Sequence, residues 1–538
     1  MISQHLWWIA LGPLALASVG VLPASWRRAA TVNRLALGAA LLALALALGT
    51  AVAVALEGAI RTPTLGANGL GIGLYVDAMS AAMFCLVAFV GTIVVAYSRN
   101  YLDGDPGRAR FTKLLCLTLA AVLSLIVSGN LIAFTLAWIA TSVGLNVLLV
   151  FYRDRPAAVL AARKKFITSR LGDLCLIGAS VLIYRSFGSL DYAPVFAGAA
   201  ALRAGHDVPL AVHAAGFLFV LAALLKSAQF PLHGWLVEVM ETPTPVSALL
   251  HAGIINAGGF LVLRFSEVIS LSYPSLEVLA VVGGFTALFG SVVMLTQTSI
   301  KVTLAYSTIA QMGFMMLECG LAAFPAAMLH IIAHSLYKAH AFLSSGSVID
   351  IARASWTPSP GGKPHPRRQL FAIAAVLAAA LVVGKLFGAG LTEKPGVFAL
   401  GAVLLLGLIH LVANGIDERP NLFVVGKTLA YAALVGVVYF ALQYGAEQIF
   451  AGALPSVQSL HGPLAIAVVT LVVTSFAVVT FLQGLVPGDR GTPRSQALYA
   501  HVANGLYVNT VANRLLLRYW PPHAKESARR AAAFEGVA

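Results

Sequence analysis

Lys226, His251, His330, His334, Lys338 and Lys385 all stand inside long apolar runs of this chain. A charge at the centre of a bilayer costs about 2.5–3.5 kcal/mol on insertion scales, so each of them needs a reason. The chemistry they could share is proton movement, because imidazole titrates near neutrality and a buried amine can gain or lose its charge. Lys226 lies in VLAALLKSAQFPLHGW, with Pro231 five positions on. Proline removes a backbone donor and clashes with the carbonyl four residues back. The helix is therefore expected to break near Lys226, freeing backbone groups as transporters do at midplane sites. A lysine snorkelling from a span end is the plainer alternative.

His330, His334 and Lys338 recur at i, i+4 and i+8, which predicts one helix face. Two such histidines could suggest zinc, but no acid stands between or just after them and the lysine would repel a cation. A row of titratable groups is the better reading, and no metal or cofactor is expected in this chain. Carboxylates lie nearby. Glu238 and Glu241 precede TPTP at 242–245, where acids are also favoured simply by the start of a helix. Asp173, in SRLGD, is the candidate counter-charge for Lys226; its alternative is a span-end acid paired with Arg170.

These groups must be positioned by membrane helices. The chain has 538 residues, 59% hydrophobic and only 10% charged, against roughly 25% charged in ordinary soluble proteins. The pattern predicts an all-α polytopic membrane protein with about 15 transmembrane helices. They are placed near 5–23, 35–57, 73–97, 112–128, 130–151, 171–186, 209–230, 246–264, 275–297, 302–319, 326–348, 369–388, 396–413, 423–442 and 463–485. The cysteines Cys85, Cys116, Cys175 and Cys319 fall inside apolar runs and read as small core residues.

Charge orients the spans. Arg27 and Arg28 follow the first, and Arg99, Arg108, Arg110 and Lys113 follow the third. Arg153, Arg155, Arg163, Lys164, Lys165 and Arg170 follow the fifth. Arg353, Lys363, Arg367 and Arg368 follow the eleventh, and Arg490 and Arg494 the fifteenth. All fall on one side, which the positive-inside rule makes cytoplasmic, with the N-terminus outside and the C-terminus inside. The amphipathic stretch from Leu506 to Trp520 is expected either on the membrane surface or at a partner.

The segment KSAQFPLHGWLVEVMETPTPVSALLHAGIINAGGFLVLR (226–264) closely resembles the proton-conducting membrane subunits of respiratory complex I and Mrp-type antiporters. LYVDAMS (74–80), SRLGD (169–173), QTSIKVTLAYSTIAQMGFM (297–315) and HIIAHSLYKAHAFLSSGSVI (330–349) extend the likeness. It implies two inverted five-helix repeats with broken helices. The corresponding division is N-terminal helices at 1–111, repeats at 112–264 and 275–413, C-terminal helices at 414–485 and a cytoplasmic tail at 486–538. It also makes Lys226 the lysine of the first broken helix and His251 the linking residue. His330, His334 and Lys338 become the central polar axis, and Lys385 the lysine of the second broken helix.

The departures narrow the resemblance. The family's fifth span carries a glutamate directly after a tryptophan, where this chain reads Trp138-Ile139-Ala140-Thr141-Ser142. The acid of the family's QTDIK motif is Ser299. The short chain, WIATS and the loop Phe151 to Pro156 resemble the membrane subunits of DAB inorganic-carbon accumulation systems. That branch implies a bacterial inner-membrane subunit whose cation flow, expected to be of protons, drives one-way CO2 conversion to bicarbonate. The hydration would occur in a large cytoplasmic zinc-binding DabA-type partner with a carbonic-anhydrase-like site. The alternative is an antiporter-like subunit of complex I, a related hydrogenase or an Mrp Na⁺/H⁺ antiporter. Nucleic acid is not expected as a partner.

Overall fold

The computed structural model describes residues 7–23, 28–67, 70–205, 207–239, 242–346, 366–388, 394–408, 422–455, 463–485 and 492–521. Helices dominate. The first half comprises α1 (Leu11–Gly20), α2 (Ala29–Glu57), α3 (Ala78–Tyr101), α4 (Arg108–Val127), α5 (Leu131–Leu149) and α6 (Pro156–Phe187). Then come α7 (Tyr192–Gly205), α8 (Leu210–Lys226), α9 (Gly234–Glu238), α10 (Thr244–Ala252), α11 (Ala257–Arg264) and α12 (Ser266–Ile269). The second half comprises α13 (Tyr273–Met294), α14 (Ile300–Gly320), α15 (Phe324–Leu343), α16 (Pro366–Leu386), α17 (Pro395–Gly407), α18 (Leu422–Phe450) and α19 (Pro463–Leu485). The tail forms α20 (Pro493–Ala503) and α21 (Val508–Tyr519).

Among the described residues, nine helices are long and apolar enough to cross a membrane, and shorter apolar helices accompany them. α15 is not one of the nine, because His330, His334, Lys338 and His340 dilute its apolar surface. The helix richest in candidate chemistry is thus one that apolar length and composition alone pass over.

Short strands between α2 and α3 form two antiparallel pairs, Ile60–Arg61 with Tyr75–Val76 and Leu65–Ala67 with Leu70–Ile72. They sit at one end of the bundle. There Gly129 donates to the Gly73 carbonyl at 2.8 Å, and Leu131 to that of Leu190 at 2.9 Å. The connections after the second, fourth and sixth spans therefore meet. The opposite end gathers the odd connections. Lys113 donates to the carbonyls of Leu22 and Pro23, Tyr152 to Asp105, Gln297 to the carbonyl of Ala503, and Arg163 to that of Trp520. The connections after the first, third, fifth and ninth spans thus share one basic end with the tail, while Arg27, Arg353, Lys363 and Arg490 of the charge pattern lie outside the described residues.

One expectation is corrected. The basic cluster from Arg163 to Arg170 does not lie in a loop before a short sixth span. It belongs to α6, a 32-residue helix that starts at Pro156, a residue suited to a first turn, and ends at Gly188 with φ 67°. Lys165 and Asp173 are accordingly buried.

Close helix contact comes from small residues, as membrane packing requires. A Cβ added at Gly313 would lie 2.3 Å from the Ala287 nitrogen across the α13–α14 seam. A buried ion pair ties α11 to the start of α3. Arg264 at the end of α11 contacts Asp77 at 2.7 Å, and Asp77 also caps α3 by accepting from the Ser80 amide at 2.9 Å. Arg264 further donates to the Ser80 hydroxyl. Removing one partner of such a pair strands the other charge. Arg264→Leu should therefore cost about 3–5 kcal/mol, seen as a sharply lower melting temperature in detergent; an unchanged melt would refute this.

Candidate functional site

α8 ends at Lys226 itself, and residues 227–233 turn irregularly, with Ala228 at φ 49°, before α9 resumes. Pro231 lies within this break. The break is locally sealed: Ser227 donates to the Ile255 carbonyl at 3.2 Å, and a Cβ on Gly258 would meet the Ser227 hydroxyl at 2.2 Å. Only glycine lets α11 approach this closely. The eighth span is also interrupted, by a 3₁₀ turn at Ile254–Asn256 just past His251. Sequence reading did not foresee that second interruption.

Lys226 is 2% exposed. Its ammonium donates to Ser142 Oγ at 2.6 Å and to the Trp138 carbonyl at 3.3 Å. It also lies 4.2 Å from the Trp138 ring centroid, within cation–π range. The hydroxyl of WIATS therefore occupies the contact that an acid would make, and Ile139 takes no part in it. Asp173 is paired with Arg170 at 2.7 Å, the alternative weighed for it, yet it also lies within electrostatic reach of Lys226. Neither carboxylate oxygen has an aligned hydrogen-bond partner among the described residues.

Glu238 is drawn to the basic end. It meets Lys164 at 2.6 Å and accepts from Asn509 at 2.9 Å and Asn513 at 2.7 Å, both on α21. Lys164 in turn donates to the side-chain oxygens of both asparagines. The amphipathic tail is thus latched to α6 and α9 of its own chain. Its outer side leaves Val511, Leu515 and Tyr519 exposed. Glu241 falls outside the described residues.

The row on α15 assembles as the spacing predicted. His251 shares a 2.9 Å hydrogen bond with Thr308, and Lys338 donates to Ser307 at 2.9 Å and to the Leu304 carbonyl at 3.2 Å. The His330 and His334 ring centroids are 6.1 Å apart, and both nitrogens of His334 lack a partner among the described residues. His251, His334 and Lys338 lie within electrostatic reach of one another. Lys385, by contrast, is exposed in the last turn of α16.

Several participants escaped sequence reading. Glu318, near the end of α14, contacts His330 at 2.9 Å; an acid so placed reads as an ordinary span-end charge. Lys394 pairs with Glu447 of α18 at 2.5 Å. His233, in the break, is fully buried with both nitrogens unpartnered among the described residues. The one available signal for His233 was its place two residues after Pro231.

Comparison with known proteins gives this geometry a class. Residues 128–357 match the family model described as NADH:quinone oxidoreductase/Mrp antiporter, TM. Residues 64–112 match that of NADH-Ubiquinone oxidoreductase (complex I), chain 5 N-terminus. A solved Mrp complex from Dietzia sp. DQ12-45-1b shares the fold, with a TM-score of 0.57 and 24% identity, covering 98% of this chain and 59% of that one. An archaeal membrane-bound sulfane sulfur reductase matches with a TM-score of 0.57 and 20% identity over 94% of this chain and 99% of that one. The chain belongs to this antiporter-like family of membrane subunits.

Within the family, it is 39% identical over 469 residues to the probable inorganic carbon transporter subunit DabB2 of Halothiobacillus neapolitanus, covering 86% of this chain and 83% of that one. A second such protein of that organism, DabB1, is 47% identical over 54% of this chain and 52% of its own. The NADH-quinone oxidoreductase subunit L of Mycobacterium tuberculosis is 39% identical over 53% of this chain and 45% of its own. The chain belongs to the DabB branch of inorganic carbon transporter subunits.

Asn509→Ala with Asn513→Ala should loosen the tail without unfolding the bundle. Limited proteolysis should then cut between residues 492 and 521 at least several-fold faster. An unchanged cleavage rate would show that apolar contacts alone hold α21.

Proposed function

We propose that this chain conducts protons through the Lys226 site and the His251–His334–Lys338 row. The flow would energise inorganic carbon accumulation by a large zinc-binding cytoplasmic partner with carbonic-anhydrase-like chemistry. The observation that carries the proposal is Lys226: an ammonium buried at a helix break, held by one hydroxyl, one carbonyl and a ring face. Nothing in local packing needs a charge there, and a transport route does.

Hydration chemistry is assigned to the partner. By the charge rule the basic end is assigned to the cytoplasm, and this supports α21 as the docking element for such a partner. The chain's own part is transport, and its membrane is the bacterial inner membrane.

Three experiments test this. Lys226→Ala, at normal expression, should lower proton flux in proteoliposomes and bicarbonate accumulation in cells to background; wild-type rates would refute the proposal. Asp173→Asn should be comparably impaired, and the double variant no worse than either single one, because members of one unit are not additive. Truncation after Gly491 tests the partner reading: the zinc-containing subunit should no longer co-purify while the membrane part stays folded. Co-purification instead of quinone-reducing or multisubunit antiporter components would favour the alternative family role.

A further inference from the structure

α6 carries a buried lysine that the proposed route leaves unused. Lys165 is 1% exposed, donates to Ser169 Oγ at 2.8 Å, and lies 4.7 Å from the Trp235 ring centroid. Lys226 has the same kind of surroundings: one hydroxyl and one indole face. Two buried ammonium groups of one chain thus share one unusual design.

Their placement is ordered. Lys165, Ser169 and Asp173 stand at i, i+4 and i+8 on one face of α6. α6 packs against α8 beside this face, with a Cβ on Gly172 only 3.6 Å from the Ala222 carbonyl. One residue before Lys165, Lys164 meets Glu238 at the basic end. Trp235, which covers Lys165, belongs to α9 just beyond the break, whereas Lys226 ends α8 just before it. Lys165 therefore occupies the step between the Glu238 mouth and Lys226.

The charges facing this step come from every neighbouring element. On α6 they are Arg170, Asp173 and Lys164; on α8, Lys226; on α9, Glu238; and in the break, His233. Glu238 is already taken by Lys164, and Arg170 already sits on Asp173. Two lysines are left to share what remains of one carboxylate. In so dry a place, a proton arriving on one lysine repels the proton on the other.

We propose that Lys165 is a second proton-carrying lysine, which receives protons from Lys226 by way of Asp173 and Ser169 and releases them at the Lys164–Glu238 mouth. This rests on the proton-conducting reading above. Each transfer moves one proton: an N–H bond on Lys226 breaks as one forms on the neutral Lys165 amine, and Lys165 then gives that proton up at the mouth while Lys226 is reprotonated from the far side. In this branch the second lysine would do the work that the missing fifth-span acid does elsewhere, changing the charge beside Lys226 by adding a cation.

The test uses the full chain, purified with its co-eluting subunits, in proteoliposomes read by a pH-sensitive dye. Lys165→Met should lower proton flux at least tenfold. Lys165→Arg keeps the charge and the reach, but guanidinium does not release its proton; flux should stay equally low while the melting temperature returns to that of the wild type. Recovery of flux in Lys165→Arg would overturn the proposal and leave Lys165 a structural cation, even if Lys165→Met fails to fold. Wild-type flux in Lys165→Met alongside an inactive Lys226→Ala would also overturn it, with proton conduction intact. Wild-type flux in Lys226→Ala would instead remove the conduction reading itself.

Discussion

The structure is organised around a cost: an ammonium group withdrawn from water must find polar contacts inside a bundle built from apolar helices. Lys226 meets that cost with a helix that stops at its own position, a hydroxyl and carbonyl from α5, and an indole face. The interrupted eighth span, the close approach at Gly258 and the sealing bond from Ser227 all follow from holding two irregular segments against each other. Broken backbone is tolerated at membrane depth only where other protein satisfies it.

The two ends of the bundle solve different problems. At the end bearing the short strands, Asp77, Ser80 and Arg264 form a dry and fully satisfied cluster, which suits a fixed joint. At the basic end, Glu238 and Lys164 are bridged by two asparagines from the C-terminal helix. Amide bridges between opposite charges can be exchanged for water or for another protein. A partner that moved α21 would therefore change the polar contacts of the residues leading to Lys165 and Lys226.

The branch's departure from its wider family has a physical reading here. Replacing an acid by Ile139 and Ser142 leaves the lysine neighbourhood short of negative charge, and Asp173 is already shared with Arg170.

Sequence alone settled the broad architecture, because hydropathy and charge placement are read one residue at a time. It yielded the spans, the shared basic end, the break at Lys226 and the single face of His330, His334 and Lys338, since helical spacing is local. Partnership across helices was beyond it. Ser142 as the seat of Lys226, Glu318 against His330, the latch on Glu238 and the pairing of Lys394 with Glu447 join residues that no periodicity connects. Lys165 shows the limit most plainly. As one member of a basic run it reads as a loop charge on the cytoplasmic side, and only the docking of α9 and α8 against a continuous α6 makes it a buried lysine. Burial depends on which faces meet, and that is decided by tertiary packing.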